Sequence, residues 1–75
     1  MARTWNAGVI GCGSVAQHLH LPGYIRTPGV ELVAACDPEP ARHKEARQIR
    51  KDLHVYRDYK EMLARERLDV ISVAS

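Results

Sequence analysis

Gly11-Cys12-Gly13-Ser14-Val15-Ala16 follows the apolar run Ala7-Gly8-Val9-Ile10 and leads into a segment with helical spacing. Asp37 closes the next apolar run, 21 residues beyond Ala16. The order strand, glycine turn, helix, strand, acid is the pattern of a dinucleotide-binding βαβ unit. Gly11 permits a sharp turn off the strand. Gly13 has no Cβ and lets backbone come close to a pyrophosphate. Ala16, in place of a third glycine, is small enough for the helix to pack near the strand. The free N–H groups at the helix start then face the anion.

Outward from this turn, the same alternation continues. The first helix starts near Ser14 and carries Val15, Ala16, Leu19 and Leu21. Pro22 removes a donor and is expected to kink or end it, with Gly23-Tyr24-Ile25 as a further short turn. Pro28-Gly29 marks a turn. Val30-Glu31-Leu32-Val33-Ala34-Ala35-Cys36 is nearly continuous in apolar character, as suits a parallel strand covered on both faces. Pro38 and Pro40 fit the first turn of a helix from about Glu39 to Lys51, whose thin apolar stripe is Ala46, Ile49 and Leu53. His54-Val55-Tyr56 is a short third strand. Asp58 and Glu61 begin a third helix, Asp58 to Glu66, with Tyr59, Met62 and Leu63 on its apolar side. Leu68 to Ser75 is a fourth strand. The fold class is therefore α/β, a parallel-sheet β-α-β-α-β-α-β half-domain of Rossmann type. The expected strand order is 3-2-1-4, with the first two helices on one face and the third on the other. Ligands bind where strands one and four diverge.

Composition narrows the function classes. A chain of 75 residues is one small domain, and at this size only about 60% of the unfolded surface is buried. Apolar residues make up 45% and charged residues 27%, as in globular proteins. With no Phe and one Trp the core is mostly aliphatic. A net charge of +2 is too small to argue for nucleic acid. The basic cluster Arg42, His43, Lys44, Arg47, Arg50 and Lys51 is interrupted by acids and reads as a solvated helix face. Cys12 and Cys36 are expected to be reduced and buried rather than bridged. No signal-like or membrane-length apolar segment occurs, so a cytoplasmic location without membrane contact is expected.

Other residues are weaker candidates. His18 and His20 lie two apart and would diverge on a helix, so a shared metal is not expected. His43 and His54 read as surface positions without carboxylate partners. Trp5 and Tyr24 read as packing residues. Asp37 has a rival reading as a helix N-cap. As a ribose ligand its carboxylate would accept both hydroxyls and repel a 2′-phosphate. That favours NAD, with NADP kept open because Arg42 and His43 lie a turn away.

These segments together resemble the start of the Gfo/Idh/MocA family, the glucose–fructose oxidoreductase and inositol dehydrogenase group. The matching residues are Val9-Ile10-Gly11-Cys12-Gly13, His20-Leu21-Pro22-Gly23-Tyr24, Val33-Ala34-Ala35-Cys36-Asp37, Val55-Tyr56-Arg57-Asp58-Tyr59 and Asp69-Val70-Ile71-Ser72-Val73-Ala74. The resemblance implies an NAD(P)-dependent oxidoreductase of sugars, polyols or related compounds. It implies that Gly11, Cys12, Gly13, Ser14 and Val15 form the pyrophosphate turn. Asp37 would hold the adenosine ribose, and Ala74 and Ser75 would line the cofactor cleft. The family's Glu-Lys-Pro segment, catalytic acid–base residues and substrate domain have no counterpart before Ser75. Residues 1–75 are thus expected to be the N-terminal part of an NAD(P)-binding domain, with no catalytic residue of their own. The apolar fourth strand would then form a sheet edge, and self-association through it is expected. A non-catalytic nucleotide-binding module and a different Rossmann-type enzyme, such as a methyltransferase, stay open as alternatives.

Overall fold

The computed structural model describes residues 4–13 and 16–74, with residues 16 and 18 described by their backbone alone. Four strands form one parallel sheet: β1 (Trp5–Ile10), β2 (Val30–Cys36), β3 (His54–Tyr56) and β4 (Val70–Val73). Their order is β3-β2-β1-β4, as the alternation of elements predicts. β2 and β3 match their expected limits. β1 begins two residues before the apolar run, at Trp5, because Trp5 and Asn6 pair with Val30 and Glu31. β4 is shorter than the apolar segment from Leu68, since pairing with β1 extends from Val70 to Val73.

The helical segments show where local rules give way. Ala16–His20 is wound as a wide π-type turn and runs directly into α1 (Leu21–Ile25). Pro22 therefore does not end the helix. It lies in the first turn of α1, where a missing N–H costs least, and the change of winding falls just before it. α2 spans Pro40–Ile49, shorter at both ends than Glu39 to Lys51. Pro40 opens it, and Pro38 stays outside. α3 spans Tyr59–Arg65, with Asp58 as its N-cap and Glu66 as its C-cap rather than members. Asp58 Oδ1 accepts the Lys60 N–H at 2.9 Å, a contact of the type worth about 1 kcal/mol.

The sheet is covered on both faces. Val9, Leu32 and Ala35 pack with Leu21 of α1, Ala46 of α2 and Leu53 in one cluster. Ala34 and Cys36 pack with Met62 of α3 in a second. Leu32 and Ala35 are three apart yet share a face, against strict alternation. The pairing explains this: Ala7 meets Leu32 but Gly8 meets Ala34, so Val33 is an extra residue on β2. Such a bulge resets which face the following side chains take. Fully burying a residue such as Leu21 or Leu32 stabilises the fold by roughly 1.5–3 kcal/mol. The stripe Ala46, Ile49, Leu53 enters the first cluster as its spacing predicts.

Candidate functional site

A cleft of about 590 Å³ opens at the C-terminal ends of the strands. Ile10 and Gly11 border it from β1, Asp37 and Pro38 from β2, Asp58 and Tyr59 from the start of α3, and Ala74 from β4. This is the crevice where a doubly wound sheet takes its ligand.

Gly11 has φ +98°, a left-handed conformation that L side chains rarely adopt. A Cβ there would lie 2.0 Å from the Ala74 carbonyl oxygen. The glycine is thus demanded by β4 as much as by the turn. Its N–H donates to the Cys36 carbonyl at 2.7 Å, tying the turn to the end of β2. Around Gly13 the situation is opposite. Beyond its chain neighbours, a Cβ built there meets no described residue within 4 Å. The space beside the turn is open, which fits the approach of a phosphate group.

Asp37 links the two halves of the site. Its Oδ2 accepts the Cys12 N–H at 2.9 Å, and its Oδ1 accepts the Glu39 N–H at 2.9 Å. The second bond is the local turn that the N-cap reading anticipates, although Glu39 is the capping residue of α2. The first spans 25 residues and joins the acid to the glycine turn. Each carboxylate oxygen has a further lone pair, so the group can still accept ribose hydroxyls.

Cys12 is fully buried, and its thiol donates to the Cys36 carbonyl at 3.6 Å. Burial, reinforced by the Asp37 charge and by Cys36, pushes the thiol up to about 12. Burial also raises the Cys36 thiol. Both cysteines are free, in line with the expectation from their number. Cys12 therefore holds the turn against Asp37 from inside instead of presenting a side chain to the cleft.

Other expected site residues divide. Gly11, Asp37 and Ala74 are brought together at the cleft. Ser14, Val15 and Ser75 lie outside the described residues, as do the side chains of Ala16 and His18. His20 lines a separate shallow groove beside α1, along with Tyr24 and Ser72. Tyr24 packs against the first core cluster, and its hydroxyl shares a hydrogen bond with the Ser72 hydroxyl. Trp5 stands at the N-terminal end of β1, away from the cleft, and is 43% exposed.

The histidines require a correction. His54 does have a carboxylate partner: its Nδ1 lies 2.8 Å from Glu66 Oε2. The Tyr56 hydroxyl donates to the same oxygen, and that bond, with burial and the Glu66 charge, pushes its phenol up to about 12. Their spacing in sequence does not show this, because Glu66 reaches them only when α3 folds back on β3. His43 Nε2 lies 2.6 Å from the Asp37 carbonyl oxygen. Arg42 pairs with Glu45 at 3.1 Å. Arg42 and His43, a turn beyond Asp37, thus each have a partner within the protein.

Sequence reasoning missed three contributors. Arg57 and Tyr59 line the cleft; they sit in a quoted segment, but nothing in their spacing marks them as ligands. Gln17 Nε2 donates to the Cys12 carbonyl at 2.7 Å and to Glu45 Oε1 at 3.1 Å. Among the described residues no group of His, Cys, Asp and Glu is arranged to hold a metal ion. No described helix is long and apolar enough to cross a membrane.

Comparison with known proteins agrees with this geometry. The family model described as "Oxidoreductase family, NAD-binding Rossmann fold" (Gfo/Idh/MocA) matches residues 5–75. A D-apiose dehydrogenase from Paraburkholderia graminis is 33% identical over 73 residues, covering 97% of this chain and 19% of its own length. A 3-ketoreductase from Actinomadura kijaniata, solved with NADP, superposes with a TM-score of 0.83 at 26% identity, over 97% of this chain and 23% of the other. The fold is also that of scyllo-inositol dehydrogenase from Lactobacillus casei, solved with NAD(H) and scyllo-inositol: TM-score 0.84, 21% identity, 97% of this chain and 22% of that one. The chain thus spans about a fifth of the length of the relatives it matches.

Proposed function

The chain belongs to the Gfo/Idh/MocA oxidoreductase family and carries its NAD-binding Rossmann fold, and from that membership we propose that it is the cofactor-holding part of an enzyme oxidising a CH–OH carbon of a sugar, polyol or related compound. The observation that carries this reading is the Asp37 carboxylate, bonded to the Cys12 amide at 2.9 Å while bordering the 590 Å³ cleft. It holds Asp37 at a fixed separation from the glycine turn, which supports reading the pair as ribose acceptor and phosphate turn. NAD, when bound, supplies the hydride acceptor, and the protein supplies position.

In this reading Gly11 shapes the turn and Gly13, with Ser14 and Val15, receives the pyrophosphate. Asp37 takes the adenosine ribose, and Ala74 and Ser75 border the path toward the nicotinamide. Cys12 serves from behind by holding Asp37. NAD is favoured over NADP because Asp37 would repel a 2′-phosphate, and Arg42 and His43 have partners of their own. The family resemblance implies that the substrate pocket and acid–base residues lie in parts of such enzymes beyond the fifth of their length matched here. The dehydrogenases of sugars and inositols among the relatives support this substrate class. The apolar edge of β4 supports the further reading that copies of this chain associate through it.

Titration of NADH by fluorescence tests the proposal. The protein is expected to enhance NADH emission, with NADPH binding more weakly. Asp37→Ser should lower NADH affinity roughly tenfold or more, the worth of a charged hydrogen bond, and raise NADPH affinity. Equal affinity of wild type and Asp37→Ser for both nucleotides would remove Asp37 from the ribose site. No binding of either nucleotide by wild type would remove the proposal.

A further inference from the structure

We propose that Gln17 is a positioning residue for the cofactor, aiming the amide of Gly13 outward by gripping the glycine turn from behind. This inference rests on the reading of that turn as a pyrophosphate site.

The grip is double. Gln17 donates its backbone N–H to the Gly13 carbonyl at 2.9 Å and its side-chain Nε2 to the Cys12 carbonyl at 2.7 Å. Two successive carbonyls of the turn are thus held by one residue. The first bond is the ordinary backbone bond of a helix start and any residue could make it. The second needs a side-chain donor of this length. A trans peptide is planar, so its C=O and the following N–H point in opposite directions. Drawing the Cys12 carbonyl toward Gln17 turns the Gly13 N–H away from it. Beyond its chain neighbours, a Cβ built on Gly13 meets no described residue within 4 Å, so that side of the turn is uncrowded.

Cys12 has its polar groups committed within the protein. Its N–H goes to Asp37 Oδ2, its thiol to the Cys36 carbonyl and its carbonyl to Gln17. Without the Gln17 side chain the Cys12 carbonyl loses the bond that fixes the peptide plane between Cys12 and Gly13. On the Gly13 side of that plane the missing Cβ leaves rotation little opposed. Glu45 completes the device. Its Oε1 accepts from Gln17 Nε2 at 3.1 Å and from Arg42 at 3.1 Å. Both partners of Nε2 are acceptors, so the amide can present only its nitrogen to them. The turn is thereby braced against α2, the helix that follows Asp37.

The chemistry dictates the test. Gln17→Met keeps the length of the side chain and removes the donor. Gln17→Lys keeps a donor facing two acceptors. Calorimetric titrations with ADP and with adenosine, alongside thermal melts, separate aim from stability. Gln17→Met is expected to weaken ADP binding about tenfold, the effect of losing one well-placed hydrogen bond. Adenosine affinity should be unchanged, and Gln17→Lys should restore ADP binding to within a few-fold of wild type. Wild-type ADP affinity in Gln17→Met overturns the inference. So does an equal loss for ADP and adenosine accompanied by a lowered melting temperature, which marks a structural role. If wild type binds adenosine and ADP equally, the pyrophosphate reading itself fails, and the inference with it.

Discussion

The two flanks of β1 are finished in different ways. On the β2 side, the glycine turn, Asp37, Gln17 and α2 are joined by hydrogen bonds of 2.7–3.1 Å around a fully buried Cys12. On the β4 side, no other described strand pairs beyond β4, and Ile71 is 43% and Val73 69% exposed. Both flanks are apolar strands in sequence. Both flanks are tied by polar contacts between distant segments, Cys12 to Asp37 on one and Asn6 to Asp69 on the other; the difference is that Cys12 is fully buried while the apolar side chains of β4 are not. The outer strand is held by backbone pairing with β1, by Ala74 N–H to the Ile10 carbonyl at 2.8 Å, by the bond between the Tyr24 and Ser72 hydroxyls, and just before its start by Asn6 N–H to Asp69 Oδ2 at 2.9 Å. An apolar strand left at an edge is a template for another strand.

Gly11 is where the flanks meet, and breaking it should have the largest effect. Gly11→Ala places a Cβ against the Ala74 carbonyl in a backbone conformation that favours glycine. A cost of roughly 3 kcal/mol or more is expected, enough to abolish a cooperative melt in so small a domain. Gly13→Ala sharpens the contrast: with open space around it, it should melt within about 0.5 kcal/mol of wild type yet bind NADH poorly. A normal melt for Gly11→Ala would show that β4 does not press on the turn.

Alkali attacks one flank and spares the other. The Cys12 thiol is raised from 9.0 to about 12 by burial, so the folded state holds its proton more tightly than the unfolded chain does. Its contribution is complete below pH 9 and is lost as pH rises toward 12. Wild type should therefore lose more stability than Cys12→Ala across that window in chemical denaturation. Tyr56 titrates over a similar range, from 10.0 to about 12, but it is present in both proteins and cancels in the comparison. Parallel profiles would show that the thiol is not sequestered.

The smallest effect on stability belongs to the exposed edge. Ile71→Lys should change the melt by less than about 0.5 kcal/mol. It should nevertheless shift sedimentation toward monomer at concentrations where wild type associates. A wild-type chain that stays monomeric at high concentration would refute association through β4.

Much of this architecture is legible in the sequence because its signals are local. The apolar run Val30 to Cys36, the turn at Pro28-Gly29 and the acid-led start of α3 each act within a few residues. Strand order follows from the alternation of elements. The winding at Ala16–His20 is not legible, because how the chain meets Pro22 depends on where Leu21 must be buried. The bulge at Val33 escapes for a similar reason, since an apolar run looks the same with or without an unpaired residue. Glu66 beneath His54 and Tyr56, and Gln17 behind Cys12, are contacts between segments that carry no mark of each other.

By itself the sequence determined the element order, the parallel sheet, the covered faces and the positions of the glycine turn and Asp37. Periodicity, proline and glycine chemistry act through nearest neighbours, and they suffice for that. Only the tertiary structure decided that Asp37 reaches the Cys12 amide, that Gly11 must be glycine because of Ala74, and that Gln17 grips the turn. Those facts depend on distances between strands and helices, which exist only once hydrophobic burial has brought the layers together.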